Sequence, residues 1–241
     1  MHQLATLFAS VYNDGMTSVT FGDTAEFSYL DTLSLQPKQN RVGLLGGTFN
    51  PVHNGHVSMA YIALYEFLLG QVVFIPLGLP PHKKDELIAS SDHRLNMLRL
   101  ATQNENRFTI DTLELERTGF TYTVDTLEAL RKAHPNNEYY YIIGADTLYE
   151  LTGWRRFERV NALTSFICVL RPGVDDAGAR SYAQTLNERL GCRIYVARDK
   201  GPDISSSLIR QLMADSRLTS GLLPESVAKY IRLHHIYAQE V

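Results

Sequence analysis

The chain has 241 residues, 44% of them hydrophobic, enough to bury the core of one large domain without disulfide or metal staples. Its 23 basic and 26 acidic side chains leave a net charge of -3, which excludes a global field for nucleic acid or an anionic membrane, so any anionic ligand must be held by local groups. The longest apolar runs fall well short of the roughly 18 to 20 residues of a bilayer span, and no basic stretch followed by an apolar one opens the chain, so the expected compartment is the cytoplasm.

Residues 1–40 carry a single Lys or Arg, Lys38, and include a hairpin pattern, Ser18 to Phe21 and Glu26 to Tyr29 around Gly22-Asp23-Thr24. They are expected to form an N-terminal extension with no assignable chemistry, ahead of one domain spanning 41–241. From Arg41 onward short apolar runs alternate with amphipathic stretches. The expected strands are Val42 to Leu45, Val72 to Pro76, Phe108 to Asp111, Tyr139 to Ile143, Thr164 to Leu170 and Arg193 to Val196. The expected helices are Gly55 to Leu69, Asp92 to Glu105, Val124 to Ala133, Ala179 to Leu190, Ser206 to Ala214 and Glu225 to Leu233. Alternation of this kind predicts an α/β fold, a doubly wound, Rossmann-like, mostly parallel sheet with helices on both faces. Ligands of such sheets bind beyond the carboxyl ends of the strands. Cys168 and Cys192 sit beside apolar residues, outside any metal or redox spacing, and read as reduced core residues.

Directly after the first parallel strand stands Gly46-Gly47-Thr48-Phe49-Asn50-Pro51-Val52-His53-Asn54-Gly55-His56. The glycines let backbone approach a ligand, and the helix start near Asn54 presents unpaired N–H groups to negative charge. His53 and His56 lie one helical turn apart, so two imidazoles can donate to phosphate oxygens from one side of that terminus. The Walker lysine and the Gly-x-Gly-x-x-Gly spacing are both absent. No third ligand stands nearby to make a zinc site. With these residues the sequence resembles the nucleotidylyltransferase superfamily, whose mark is His-x-Gly-His after the first strand. Asn50 stands where many members of that superfamily have Asp.

Near the other end Ser205 is a candidate N-cap, and Ser206 and Ser207 add donors at a second helix terminus, with Arg210 about one turn inside. Asp203 to Arg210 resembles the Ile-Ser-Ser-Thr-x-Ile-Arg motif of the ATP-using branch, which implies a nucleotide grip that includes Ile204. Between the two motifs the strand Tyr139 to Ile143 ends in Gly144 and Asp146, an acid able to accept from a ribose or an adenine edge. This stretch is similar to the superfamily's Gly-x-Asp segment.

Three further features concern a second substrate. His82, Lys83 and Lys84 place positive charge after the second strand. Thr123 is a candidate cap ahead of free helix N–H groups. Trp154 is the only tryptophan, a flat apolar face. In this order, and with the closing Leu223 to Tyr237, the sequence resembles nicotinate mononucleotide adenylyltransferases over nearly all of Arg41 to Tyr237. Arg155 follows Trp154 where the family often has an aromatic.

That resemblance implies transfer of AMP from ATP to nicotinate mononucleotide, giving deamido-NAD and pyrophosphate in NAD biosynthesis. Gly46, Gly47, Thr48, Phe49, His53, His56, Gly144, Asp146, Ile204, Ser206, Ser207 and Arg210 would take ATP. Lys83, Thr123 and Trp154 would take the mononucleotide, and His53, His56 and Arg210 would carry catalysis. Mg²⁺ is expected on the ATP phosphates, with no protein metal cage. The partners expected are ATP and nicotinate mononucleotide, with neither nucleic acid nor membrane; a homo-oligomer is compatible with the sequence. The rival readings are the amide or phosphopantetheine as acceptor, a catalytically silent nucleotide sensor, and a fragment of a class I aminoacyl-tRNA synthetase, which would need a Lys-Met-Ser-Lys-Ser loop that this chain lacks.

Overall fold

Strand runs such as Val42-Gly43-Leu44-Leu45 are apolar on both faces, as a strand covered by helices on each side requires. A computed structural model describes residues 18–21, 25–28, 37–78, 88–215, 217 and 219–237. The chain divides into two units, Met1–Pro37 and Lys38–Val241. In the first, β1 (Ser18–Phe21) pairs antiparallel with β2 (Ala25–Ser28), one residue ahead of the expected second strand. Tyr29 lies outside the described residues.

The second unit runs β3 (Lys38–Gly47), α1 (Asn54–Glu66), β4 (Leu69–Pro76), α2 (Ser91–Thr102), β5 (Phe108–Ile110), α3 (Thr123–Ala133) and β6 (Glu138–Gly144). It continues through α4 (Ala145–Glu150), α5 (Phe157–Leu163), β7 (Ser165–Val169), α6 (Asp176–Leu190), β8 (Ile194–Val196), α7 (Ser206–Ala214) and α8 (Glu225–Leu233). The six strands form one all-parallel sheet in the order β5-β4-β3-β6-β7-β8. The chain reverses its direction of winding between β3 and β6, and a crevice opens there at the carboxyl ends of those strands.

All six parallel strands stand where the sequence places them, with ends moved by up to four residues. The helices differ more. The first was expected to reach Leu69, but α1 ends at Glu66 and Leu69 opens β4. Leu68 adopts a left-handed φ of 51° there, and the unbroken apolar run hides the turn. Glu66 is buried, and its carboxylate accepts from Arg198 N (2.9 Å) and Asp199 N (3.4 Å), which fastens the helix end to the loop after β8. The short α4 and α5 escaped the sequence reading because neither completes two full turns of apolar periodicity. Cys168 lies in β7 and Cys192 between α6 and β8; both are buried and free, as expected.

On one face of the sheet Val42, Leu44, Tyr141 and Phe166 pack with Leu127 of α3 and Val160 of α5. By strand alternation Leu45 faces the other side, where Ala60, Ala63 and Leu64 of α1 are also buried. No helix among the described residues is long and apolar enough to cross a membrane.

Candidate active site

The crevice at the β3–β6 divide is a cleft of about 830 Å³. Gly46 at the end of β3, His53 and His56 at the start of α1, Gly144 closing β6 and Asp146 after it line the cleft, with Ile204 and Ser206 at the start of α7 and Thr123 and Trp154 on the remaining wall. The carboxyl ends of adjacent parallel strands thus bring together residues that are more than 150 positions apart in sequence.

His53 is the N-cap of α1, and His56 sits three residues on, in the helix. Their rings stack at 3.7 Å between centroids with planes 32° apart. His53 N donates to His56 Nδ1 at 3.2 Å, so a neutral His56 carries its proton on Nε2 and keeps that donor for a ligand. Burial, and next the Arg171 guanidinium, push the His53 pKa down to about 4. Burial and then His53 hold His56 well below the usual imidazole range. The pair is therefore neutral near pH 7, and the buried His53 Nδ1 has no hydrogen-bond partner among the described residues.

The motif glycines have steric reasons. A Cβ on Gly55 would lie 2.8 Å from His53 Nδ1, because the His53 ring lies across that residue. A Cβ on Gly46 would collide with the Tyr141 hydroxyl. Phe49, with a left-handed φ of 50°, is buried and meets the His56 ring edge-on at 5.0 Å. Phe49 therefore supports His56 from beneath and does not line the cleft. Gly47 and Thr48 are also set back: Gly47 O accepts from Leu77 N (2.9 Å), and Thr48 O accepts from Arg94 Nη1 (2.9 Å).

The start of α7 is built differently. Ser205 caps it, accepting from Leu208 N at 3.2 Å, as the sequence predicts. Ser206 Oγ donates to Pro51 O (2.9 Å), and Arg210 Nη1 donates to Asn50 O (2.8 Å) while its Nη2 reaches Ser207 Oγ (3.4 Å). Ser207 and Arg210 thus lie beside the cleft and outside its lining, on the helix that braces the histidine loop.

On the remaining wall Tyr122, not Thr123, is the N-cap of α3, and Thr123 is the first helical residue. Trp154 packs edge-on against Tyr141 at 5.4 Å and Phe166 at 6.4 Å. Arg155 lies over the Tyr122 ring at 4.4 Å. Lys83 and its neighbours His82 and Lys84 lie outside the described residues.

Two lining residues escaped the sequence reading. Arg171 stands two residues past the end of β7, pairs with Asp146, and reaches Asp203 at 3.6 Å. Its position just past a strand's carboxyl end was the available signal. Glu114 is 5% exposed, and Thr126 Oγ1 donates to its Oε1 at 2.6 Å. Burial raises its pKa. Nothing in the sequence separates Glu114 from its solvated neighbour Glu116.

The sequence pattern of the Cytidylyltransferase-like family matches residues 44–212. A probable nicotinate-nucleotide adenylyltransferase of Bacillus pumilus is 38% identical over 197 residues, covering 82% of this chain and 98% of the relative. One of Carboxydothermus hydrogenoformans is 41% identical over 197 residues, with the same coverage. Among solved structures, the nicotinic acid mononucleotide adenylyltransferase of Plasmodium falciparum in complex with NaAD superposes with a TM-score of 0.66 at 18% identity, covering 82% of this chain and 97% of that one. That likeness speaks to the fold alone.

Proposed function

The chain belongs to the nicotinate-nucleotide adenylyltransferase family, and from that premise we propose that its cleft transfers AMP from ATP to nicotinate mononucleotide, releasing pyrophosphate and forming deamido-NAD. The observation that carries this is the closely packed, neutral His53–His56 pair at a helix N-terminus on the β3–β6 divide.

The reaction is in-line attack by a phosphate oxygen of the mononucleotide on the α-phosphorus of ATP. The new P–O bond forms as the bond to pyrophosphate breaks. A phosphomonoester has its second pKa at about 6 and is mostly a dianion at neutral pH, so no general base is needed. The work left for the protein is positioning and stabilising developing charge. His56 Nε2–H faces the transferred phosphate as a neutral donor; of the main-chain donors expected at this terminus, Asn54 N is taken by Leu222 O (2.9 Å) and His56 N by His53 O (3.0 Å). Arg171 supplies the nearby positive charge, exchanging its bond to Asp146 for phosphate oxygens and leaving Asp146 for the ribose or adenine edge. Ser206, Ser207 and Arg210 hold the pyrophosphate end. Gly46 lets the nucleotide approach the backbone, with Gly47, Thr48 and Phe49 as the structure beneath.

The mononucleotide lies along Thr123 and Trp154. The first N–H groups of α3 receive the pyridine carboxylate, and the indole faces the ring. Lys83 adds charge for its phosphate. Among the described residues no group of three or more His, Cys, Asp or Glu is placed to hold a metal. Asp146 and Asp203 are engaged by Arg171. Mg²⁺ carried on the ATP phosphates would neutralise charge on the leaving pyrophosphate.

The test is to incubate purified protein with Mg·ATP and either nicotinate mononucleotide or its amide, measuring pyrophosphate and dinucleotide. Product from the acid at well above the amide rate is expected. The amide arm has a structural motive, because the Glu114 carboxyl on the same wall could accept from an amide N–H. Preference for the amide would overturn the acceptor, and no product from either would overturn the activity.

A further inference from the structure

Asn50 occupies a node in the histidine loop. It is 2% exposed. Its side-chain oxygen accepts from Ala89 N (3.0 Å) and from the Tyr237 hydroxyl (2.6 Å), while its main-chain oxygen accepts from Arg210 Nη1 (2.8 Å). The Ala89 N–H can only donate, so the oxygen, and not the amide nitrogen, of Asn50 faces these partners. The adjacent Pro51 O takes the Ser206 hydroxyl (2.9 Å). One turn of chain therefore joins α7, the start of α2 and the far carboxyl end of the chain.

Tyr237 is held under constraint. Its φ of 65° lies in the left-handed region that a tyrosine rarely adopts, so an external contact must hold it there. Its phenol is shielded by burial and lies within electrostatic reach of Arg210 and Arg94. Arg94, itself buried, donates to Thr48 O (2.9 Å) on the same loop and to Leu77 O (2.8 Å) just after β4.

Resting on the functional reading above, we propose that Tyr237, acting through Asn50, is a positioning residue for adenylyl transfer, its hydroxyl fixing the turn whose carbonyl oxygens hold Arg210 and Ser206 against the nucleotide. Asn50 serves here as a double acceptor, a role that needs oxygen lone pairs and no charge. Asp would supply the same lone pairs at this position.

The experiment is a double-mutant cycle on the full chain, Tyr237→Phe against Arg210→Ala, with Mg·ATP varied at saturating mononucleotide, the mononucleotide varied at saturating Mg·ATP, and thermal melts alongside. Tyr237→Phe removes one oxygen atom and should keep the fold. It is expected to raise KM for ATP by about five- to twenty-fold, leave KM for the mononucleotide within about twofold, and add little in the Arg210→Ala background. A role confined to stability would lower the melting temperature and leave that split unmoved. Asn50→Leu should reproduce the rise in KM for ATP, and Asn50→Asp should restore most of the loss. An unchanged KM for ATP in Tyr237→Phe, or an undiminished effect in the Arg210→Ala background, would overturn the proposal. Should wild-type protein release no pyrophosphate, the functional reading fails while the same cycle in ATP affinity, by calorimetry, still decides this one. Absence of ATP binding would sink both.

Discussion

Two of the helix N-termini that open on the cleft, those of α1 and α7, are built in opposite ways. The start of α1 is largely enclosed, with His53 buried and His56 half-buried, and carries two imidazoles packed ring to ring, both held neutral chiefly by desolvation. The start of α7 is more exposed, capped by a serine, and its cation Arg210 is spent partly on a carbonyl of the first motif. A buried terminus must present neutral donors, because an imidazolium there would have to be desolvated. An exposed terminus can keep a full charge, screened by water. The first suits the phosphorus where charge develops, the second the polyanionic tail that has only to be held.

The largest expected effect breaks the buried side. His56→Ala should lower kcat by about a hundred- to a thousandfold, as loss of a preorganised donor does, with the melting temperature changed by only a few degrees. Wild-type turnover in that variant would end the comparison. Gly55→Ala sharpens it: the added methyl meets a side-chain ring that can move, so the fold should survive while His53 is displaced, with a loss of about tenfold or more in kcat/KM. Activity equal to wild type would mean that the His53 ring need not lie where the structure puts it. On the exposed side Ser206→Ala removes a bond to Pro51 O worth about 1 kcal/mol, so a few-fold rise in KM for ATP is expected in steady-state assays.

The smallest effect concerns pH. His53 has its pKa lowered from 6.5 to about 4, so between those values the unfolded chain binds more protons than the folded one, and stability falls as pH drops through that window. Calorimetric melts should show the loss between about pH 6.5 and 4, and His53→Asn should reduce it, leaving the part that belongs to His56. Above pH 6.5 neither histidine should alter stability. A melt that is flat from pH 6.5 to 4 in the wild type would remove the claim that the pair is neutral.

What was legible in the sequence was whatever is local. Apolar periodicity placed all six parallel strands, because a strand buried on both faces is written as a short continuous run. His53, Gly55, His56 and the Ser205 cap are fixed by contacts within one or two turns, so their spacing was enough. The end of α1 was not legible, since Leu68 and Leu69 continue the apolar run into β4 and only the positive φ at Leu68 divides them.

The residues at stake in the cleft's charge balance and its bracing depend on long-range neighbours. Arg171 meets Asp146 and Asp203 because β6 and β7 lie side by side and the loop before α7 returns to their ends. Asn50 meets Ala89, Arg210 and Tyr237, three partners from distant stretches of chain, and no pattern along the sequence records such a meeting. The sequence by itself determined the parallel α/β frame and the two helix-start motifs, because backbone geometry and capping act over a few residues. The tertiary structure alone decided which motif residues touch the cleft and which brace it, because burial and hydrogen-bond partners are set by whatever the fold brings alongside.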